Sequence, residues 1–307
     1  MYNEFTFWII FSILAALIII IDLYVTEHRS DKLGLKKSLI WSGVWIITAL
    51  AFCIGIYFFL ERGHLRGLEF LTGYLIEYSL SIDNLFVFLI IFKVMGISQQ
   101  NQPHILKWGI LSAIIFRIIF ILIGVSLINL FHFVIYIFGI ILLYGAYKMA
   151  FGKNEEINLE KHPVIKFIRK YFNILPNYEG KNFFKKENGI IYATPIFLTL
   201  LLIESSDIVF AVDSIPAVIA ITRDTFVIIT SNIFAILGLR ALYFTLSGLV
   251  DLFVFLKYGV ALILLYVGIK MLTSEVIPIP TGISLGIIGF LLIGSIIFSI
   301  VKKKKRA

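Results

Sequence analysis

Long apolar stretches alternate with short polar ones along this chain, and the apolar stretches are too long for the core of a soluble domain. An α-helix needs roughly 17–25 residues to cross a bilayer. Runs of that kind fall near residues 5–25, 39–60, 68–92, 105–129, 131–151, 190–220, 225–248, 252–273 and 281–301. Polar segments at 26–37, 61–67, 93–103 and 153–189 separate most of them. The pattern predicts an all-α polytopic membrane protein with about nine transmembrane helices. The first run is longer than a signal-peptide core and no basic residue precedes it, so it reads as a retained helix. In the segment 153–189, Val164, Ile165, Phe167, Ile168, Tyr171 and Phe172 alternate in helical fashion with Lys166, Arg169 and Lys170. That alternation predicts a short amphipathic helix on the inner leaflet.

Charge gives the expected orientation. Of 27 Lys and Arg, nine spans with the N-terminus outside put 21 on the cytoplasmic side, including the tail Lys302 to Arg306. Only Arg62, Arg66, Arg223 and Lys270 fall outside, and Arg117 and Arg240 lie within spans. This asymmetry predicts a multi-pass protein of the cell (inner) membrane, N-terminus out and C-terminus in. The formal net charge of +8 is then a matter of cytoplasmic anchoring at the lipid bilayer, not of nucleic-acid binding. Composition agrees with lipid as the solvent: 60% of residues are hydrophobic and 15% charged, against about 25% charged in soluble domains. The single cysteine, Cys53, allows no intrachain disulfide.

A weak internal repeat changes the picture again. Leu142-Leu143-Tyr144-Gly145-Ala146-Tyr147-Lys148-Met149 recurs as Leu264-Leu265-Tyr266-Val267-Gly268-Ile269-Lys270-Met271. Arg117 matches Arg240, and Asp83 matches Asp207. Each copy holds three helices, and an odd number inverts the second copy, as in many secondary transporters. The expected organisation is two N-terminal helices (1–67), a first three-helix repeat (68–152), a cytoplasmic loop with the amphipathic helix (153–189), a second repeat (190–273), and a last helix with the basic tail (274–307).

Five carboxylates fall inside corresponding spans of the two copies: Glu77 and Asp83 in the third, Glu204, Asp207 and Asp213 in the sixth. An ionised side chain at mid-bilayer costs about 2.5–3.5 kcal/mol on insertion scales. The acids therefore face a polar interior, pair with Arg117 and Arg240, or bind a cation. Two arginines leave a surplus of negative charge, which favours a cation site with the arginines as structural counter-charges. Glu204 and Asp207, three apart, share a helix face. Asp213 is six beyond Asp207, so an expected kink or opening of the helix at Pro216 is what would turn it toward the others. The candidate ligands, with Asn84, Ser81, Ser205, Ser214 and Asn232, are all oxygen donors, which suits Mg²⁺, Ca²⁺ or Mn²⁺.

Three stretches carry a family resemblance. They are Glu77-Tyr78-Ser79-Leu80-Ser81-Ile82-Asp83-Asn84-Leu85-Phe86-Val87-Phe88, Glu204-Ser205-Ser206-Asp207 through Asp213-Ser214-Ile215-Pro216-Ala217, and Thr230-Ser231-Asn232 through Arg240-Ala241-Leu242-Tyr243-Phe244. They resemble the TerC family, named for tellurium resistance, and within it the Alx-type manganese exporters of a LysE-like superfamily. The resemblance implies Mn²⁺ efflux, with Asp83, Glu204, Asp207 and Asp213 as leading metal-binding acids and Glu77 and Asn84 next. The expectation is a secondary transporter for a divalent metal ion, not an enzyme, with no cofactor beyond the transported cation. The alternative is a non-transporting membrane scaffold in which the same acids only lock helices.

Overall fold

The computed structural model describes residues 3–27, 35–131, 133–152, 163–175, 178, 180–187, 189–247, 256–274, 276–277 and 279–304. Eleven helices are described: α1 (Glu4–Glu27), α2 (Leu35–Phe59), α3 (Gly63–Val94), α4 (Gln102–Leu130), α5 (Val134–Phe151), α6 (Pro163–Tyr171), α7 (Pro195–Ile219), α8 (Thr225–Leu237), α9 (Leu239–Ser247), α10 (Leu256–Leu272) and α11 (Thr281–Lys304). Three short strands precede α7: β1 (Asn173–Ile174), β2 (Phe184–Glu187) and β3 (Ile190–Ala193).

Among the described residues eight helical stretches are long and apolar enough to cross a membrane, with α8 and α9 counted as one. The described part of α10 is 17 residues, which brings the bundle to the nine spans expected. In lipid every backbone polar group must be satisfied within its own segment, so uninterrupted helices are the stable form for these runs. Side chains that lipid would cover, such as Phe5, Phe58 and Phe290, point outward, while Phe52, Phe70, Phe226 and Phe234 fill the centre. The α8–α9 pair is the most enclosed span and runs through the middle of the bundle.

Several expectations need correction. The segment 61–67 is not a loop: α3 starts at Gly63. A Cβ at Gly63 would stand 2.3 Å from the Ile56 carbonyl oxygen, so only glycine lets α3 turn straight out of α2. The sixth run does not begin its helix at residue 190. Residues 190–193 form β3, which pairs antiparallel with β2 (Phe184 opposite Ala193, Glu187 opposite Ile190) and parallel with β1. Gly189, at φ 84°, supplies the left-handed turn residue of that hairpin. The amphipathic helix exists as α6, but protein covers Ile165 and Ile168, the latter packing on Ala193 and Leu198. The side chains of Val164, Phe167 and Arg169 and of the tail 302–306 lie outside the described residues. Finally, α7 runs unbroken through Pro216 to Ile219. Pro216 sits in the last turn, where the helix was about to end. The interruption comes instead at Gly238, between α8 and α9.

The two helices that carry the repeated motif, α5 and α10, pack directly on each other. A Cβ on Gly268 would lie 3.2 Å from the Gly139 carbonyl oxygen, so paired glycines set their close approach.

Candidate functional site

The centre of the bundle holds one charged network, built across four helices. Arg117 of α4 is wholly buried. Its Nη1 donates to Glu77 Oε1 of α3 in a close ion pair and to Ser214 Oγ of α7 at 3.0 Å. Its Nη2 donates to Asp207 Oδ1 of α7 at 3.3 Å. Asn232 of α8 donates from Nδ2 to Glu77 Oε2 at 2.9 Å, and its Oδ1 accepts from Arg117 at 3.4 Å. Ser81 donates to Glu77 Oε1 at 3.4 Å from one turn along α3. Glu77 of α3 and Asp207 of α7 thus meet on one guanidinium. Two carboxylates share one arginine, and the planar fork of Arg117 is the side chain that can hold both.

Glu204 stands three residues before Asp207 and turns to the same neighbour, α4. Ser112 Oγ donates to its Oε1, and Gly109 leaves the space its carboxylate occupies. Its Oε2 is buried without a hydrogen-bond partner among the described residues. The shared face read from the spacing is therefore real. Asn84 is also buried, at 2% exposure, and its Nδ2 has no hydrogen-bond partner among the described residues. A buried amide and carboxylate left open are costly unless something polar completes them.

Asp213 does not join this group. With α7 unbroken, six residues of rotation carry it to α5, where its carboxylate lies 3.2 Å from the position of a Cβ on Gly145. Asp83 lies on α3 just before Asn84, and its side chain is outside the described residues. Ser205 donates to the Leu202 carbonyl of its own helix at 2.9 Å. Among the described residues no three carboxylates, histidines or cysteines converge on a metal-sized point.

Arg117 pairs with two of the five acids, whereas the described ion pair of Arg240 is with Asp22 of α1, Nη1 to Oδ2 at 3.2 Å. Asp22 was missed in the sequence, although a lone acid inside the apolar run 5–25 was the signal. Ser112 was missed as well. A serine in an apolar helix gives no signal until the facing helix is known.

The wider likeness of the chain agrees with this architecture. Residues 62–307 match the integral membrane protein TerC family. The chain is 43% identical over 284 residues to an uncharacterized membrane protein of Myxococcus xanthus, covering 92% of this chain and 88% of that one. It is 40% identical over 299 residues to Alx of Escherichia coli K12, named for a proposed role as a membrane-bound redox modulator, covering 95% and 93%. An uncharacterized membrane protein of Rickettsia felis is 42% identical over 296 residues, covering 96% and 98%. No solved structure is a significant match. The chain therefore belongs to the TerC family of integral membrane proteins.

Proposed function

We propose that this protein is a secondary transporter that exports a divalent cation, Mn²⁺ first among the hard ions, through the network around Arg117. The observation that carries the reading is the wholly buried Arg117, shared by Glu77 and Asp207 from corresponding helices. A buried charge cluster is usually no gain in stability over a packed apolar core. Retaining one, with surplus carboxylate from Glu204 at its edge, makes sense where a cation must enter. Arg117 then acts as the resident cation. An arriving metal ion takes its place at Glu77 and Asp207, and Glu204 and Asn84 offer the open oxygens nearby. Asp83 and Asp213 serve the same route from α3 and α7. The donors are oxygens throughout, which favours Mn²⁺, Mg²⁺ or Ca²⁺ over softer metals. An ion or proton gradient supplies the energy, and relative motion of the two repeats alternates access.

Purified protein in vesicles loaded with a Mn²⁺-sensitive dye tests this directly. Wild type is expected to carry Mn²⁺. Asp207→Asn and Glu204→Gln are each expected to reduce flux at least about tenfold, the scale of one charged contact in a polar site. Undiminished flux in both variants would falsify the assignment.

A second reading has its own support. Because no three described acids converge, Arg117 is also suited to act purely as a lock between helices of a membrane scaffold. Wild-type vesicles that move no divalent cation, together with a stable protein partner in pull-downs, favour that reading. The redox role in the name of Alx would reach this chain only through a partner, since Cys53 is its single thiol and no dithiol couple forms within it.

A further inference from the structure

Two ion pairs hold α1 near its ends. Glu4 Oε2 meets Arg66 Nη2 of α3 at 2.9 Å, and Asp22 Oδ2 meets Arg240 Nη1 of α9 at 3.2 Å. Between α1 and α2 lies a groove of about 630 Å³. Thr6, Phe7 and Leu14 line it from α1, and Ile47, Ala51 and Phe59 from α2. Gly55 widens it, since a Cβ there would stand 3.7 Å from the Phe7 ring. Both helices precede residues 62–307, the part of the chain that matches the family.

The lining says what fills it. The Thr48 hydroxyl at its edge donates to the Val44 carbonyl of its own helix at 2.8 Å. A groove this apolar offers water too few partners, and a void there would forfeit dispersion contacts along its walls. Hydrocarbon is the filler that a bilayer supplies. Length narrows the choice. At 1.5 Å per residue, α2 rises about 18 Å from Ile47 to Phe59, and α1 about 12 Å from Thr6 to Leu14. One leaflet contributes about 15 Å of hydrocarbon, half of a core of about 30 Å. The groove thus runs from the Glu4 end of α1 to about mid-membrane, which is the reach of one acyl chain. A helix from a second copy crosses both leaflets and would match only half of its own length.

The Glu4 end also carries charge of the right sign for a lipid headgroup. Arg62 is exposed and stands in the left-handed region at φ 54°, where glycine would sit without strain. Strain kept at an exposed arginine argues for a use of its side chain. The Arg62 carbonyl accepts from the Arg66 amide at 3.1 Å, so Arg62 lies one turn outward of the arginine that holds Glu4. We propose that the α1–α2 groove binds one acyl chain of an anionic phospholipid from the surrounding bilayer, with the lipid phosphate at Arg62. Hydrocarbon gains nothing by leaving hydrocarbon, so retention comes from fit within the groove and from charge at its mouth. The lipid then fills space that direct packing of α1 on α2 leaves open. The inference goes beyond the transport reading and stands whether or not the protein moves a cation.

Photolabelling of the full chain tests this. The protein is placed in mixed vesicles of phosphatidylethanolamine and phosphatidylglycerol, with a diazirine midway along an acyl chain of one lipid or the other. Labelled peptides are mapped by mass spectrometry. The exposed Phe290, Ile293 and Ile297 of α11 report ordinary solvating lipid in the same molecule. Phosphatidylglycerol is expected to label residues 6–14 and 47–59 about fivefold above α11, the scale of one basic residue near charged lipid. Ala51→Trp, which fills the groove from its wall, is expected to bring that excess down to the α11 level. Gly55→Leu is expected to do the same, and it decides alone if Ala51→Trp does not reach the membrane. Arg62→Gln is expected to remove the preference for phosphatidylglycerol and leave α11 labelling unchanged. Groove labelling no higher than α11, or an excess that survives the groove-filling variants, overturns the site. Wild-type headgroup preference in Arg62→Gln, or none in wild type, overturns Arg62 as the phosphate partner. A dimer in native mass spectrometry that disappears with Ala51→Trp assigns the groove to a second copy and overturns the lipid.

Discussion

At the scale of single residues, Arg117 decides most. It is wholly buried and bonds side chains of α3, α7 and α8. Truncating one partner of a buried ion pair leaves the other charge uncompensated, at a cost of about 3–5 kcal/mol. Arg117→Met is therefore expected to lower the thermal unfolding midpoint in detergent sharply. Arg117→Lys is expected to recover little of it, because a single ammonium cannot reach two carboxylates with the fork geometry of a guanidinium. Thermal-shift curves of the two variants check this, and a wild-type-like Arg117→Lys would count against a bridging role. Gly145 is the second informative position. Its missing Cβ leaves room for the Asp213 carboxylate, which a Cβ there would crowd at 3.2 Å. Gly145→Ala is expected to leave expression unchanged while lowering Mn²⁺ flux, since a displaced carboxylate costs function before it costs packing.

At the scale of elements, caps and glycines explain boundaries that apolar patterning alone misplaces. Asp224 caps α8 by accepting from the amides of Phe226 and Val227 at 3.0 and 3.4 Å. Thr194 caps α7 by accepting from Phe197 N at 3.4 Å, and its hydroxyl also donates to the Asn182 carbonyl at 2.8 Å. This one side chain joins the start of a span to the hairpin before it. Thr194→Ala is expected to cost about 1 kcal/mol, seen as faster amide exchange across residues 183–193 with little change in the spans. At the helix pair α5–α10, a large side chain at Gly268 meets the Gly139 carbonyl and Leu142. Gly268→Leu is expected to cost about 1–3 kcal/mol through overpacking, read as a lower unfolding midpoint.

At the scale of the whole molecule, apolar run lengths made the membrane class and the span count legible from sequence. Those quantities depend on local composition and on the thickness of lipid, which a sequence carries directly. The shared face of Glu204 and Asp207 was legible for the same reason, since helix rotation is local. The partners were not. That Arg117 joins Glu77 to Asp207, that Arg240 pairs with Asp22, and that Asp213 turns to Gly145 all depend on which helices become neighbours. Helix adjacency is set by packing among many similar aliphatic faces, and no single residue encodes it. The helix that continues past Pro216 to Ile219 makes the same point: proline forgoes its own bond to the carbonyl four residues earlier and crowds it, and whether the helix continues past it is decided by the packing around it. The hairpin before α7 escaped because its strands are short and sit beside an apolar run that reads as membrane. Its glycine turn was visible, but its pairing with β1 required the folded chain. The sequence by itself thus determined the solvent, the spans and the charged residues inside them, because these follow from the cost of placing each side chain in lipid. Only the tertiary structure decided which charges meet, because that is a property of the space between helices.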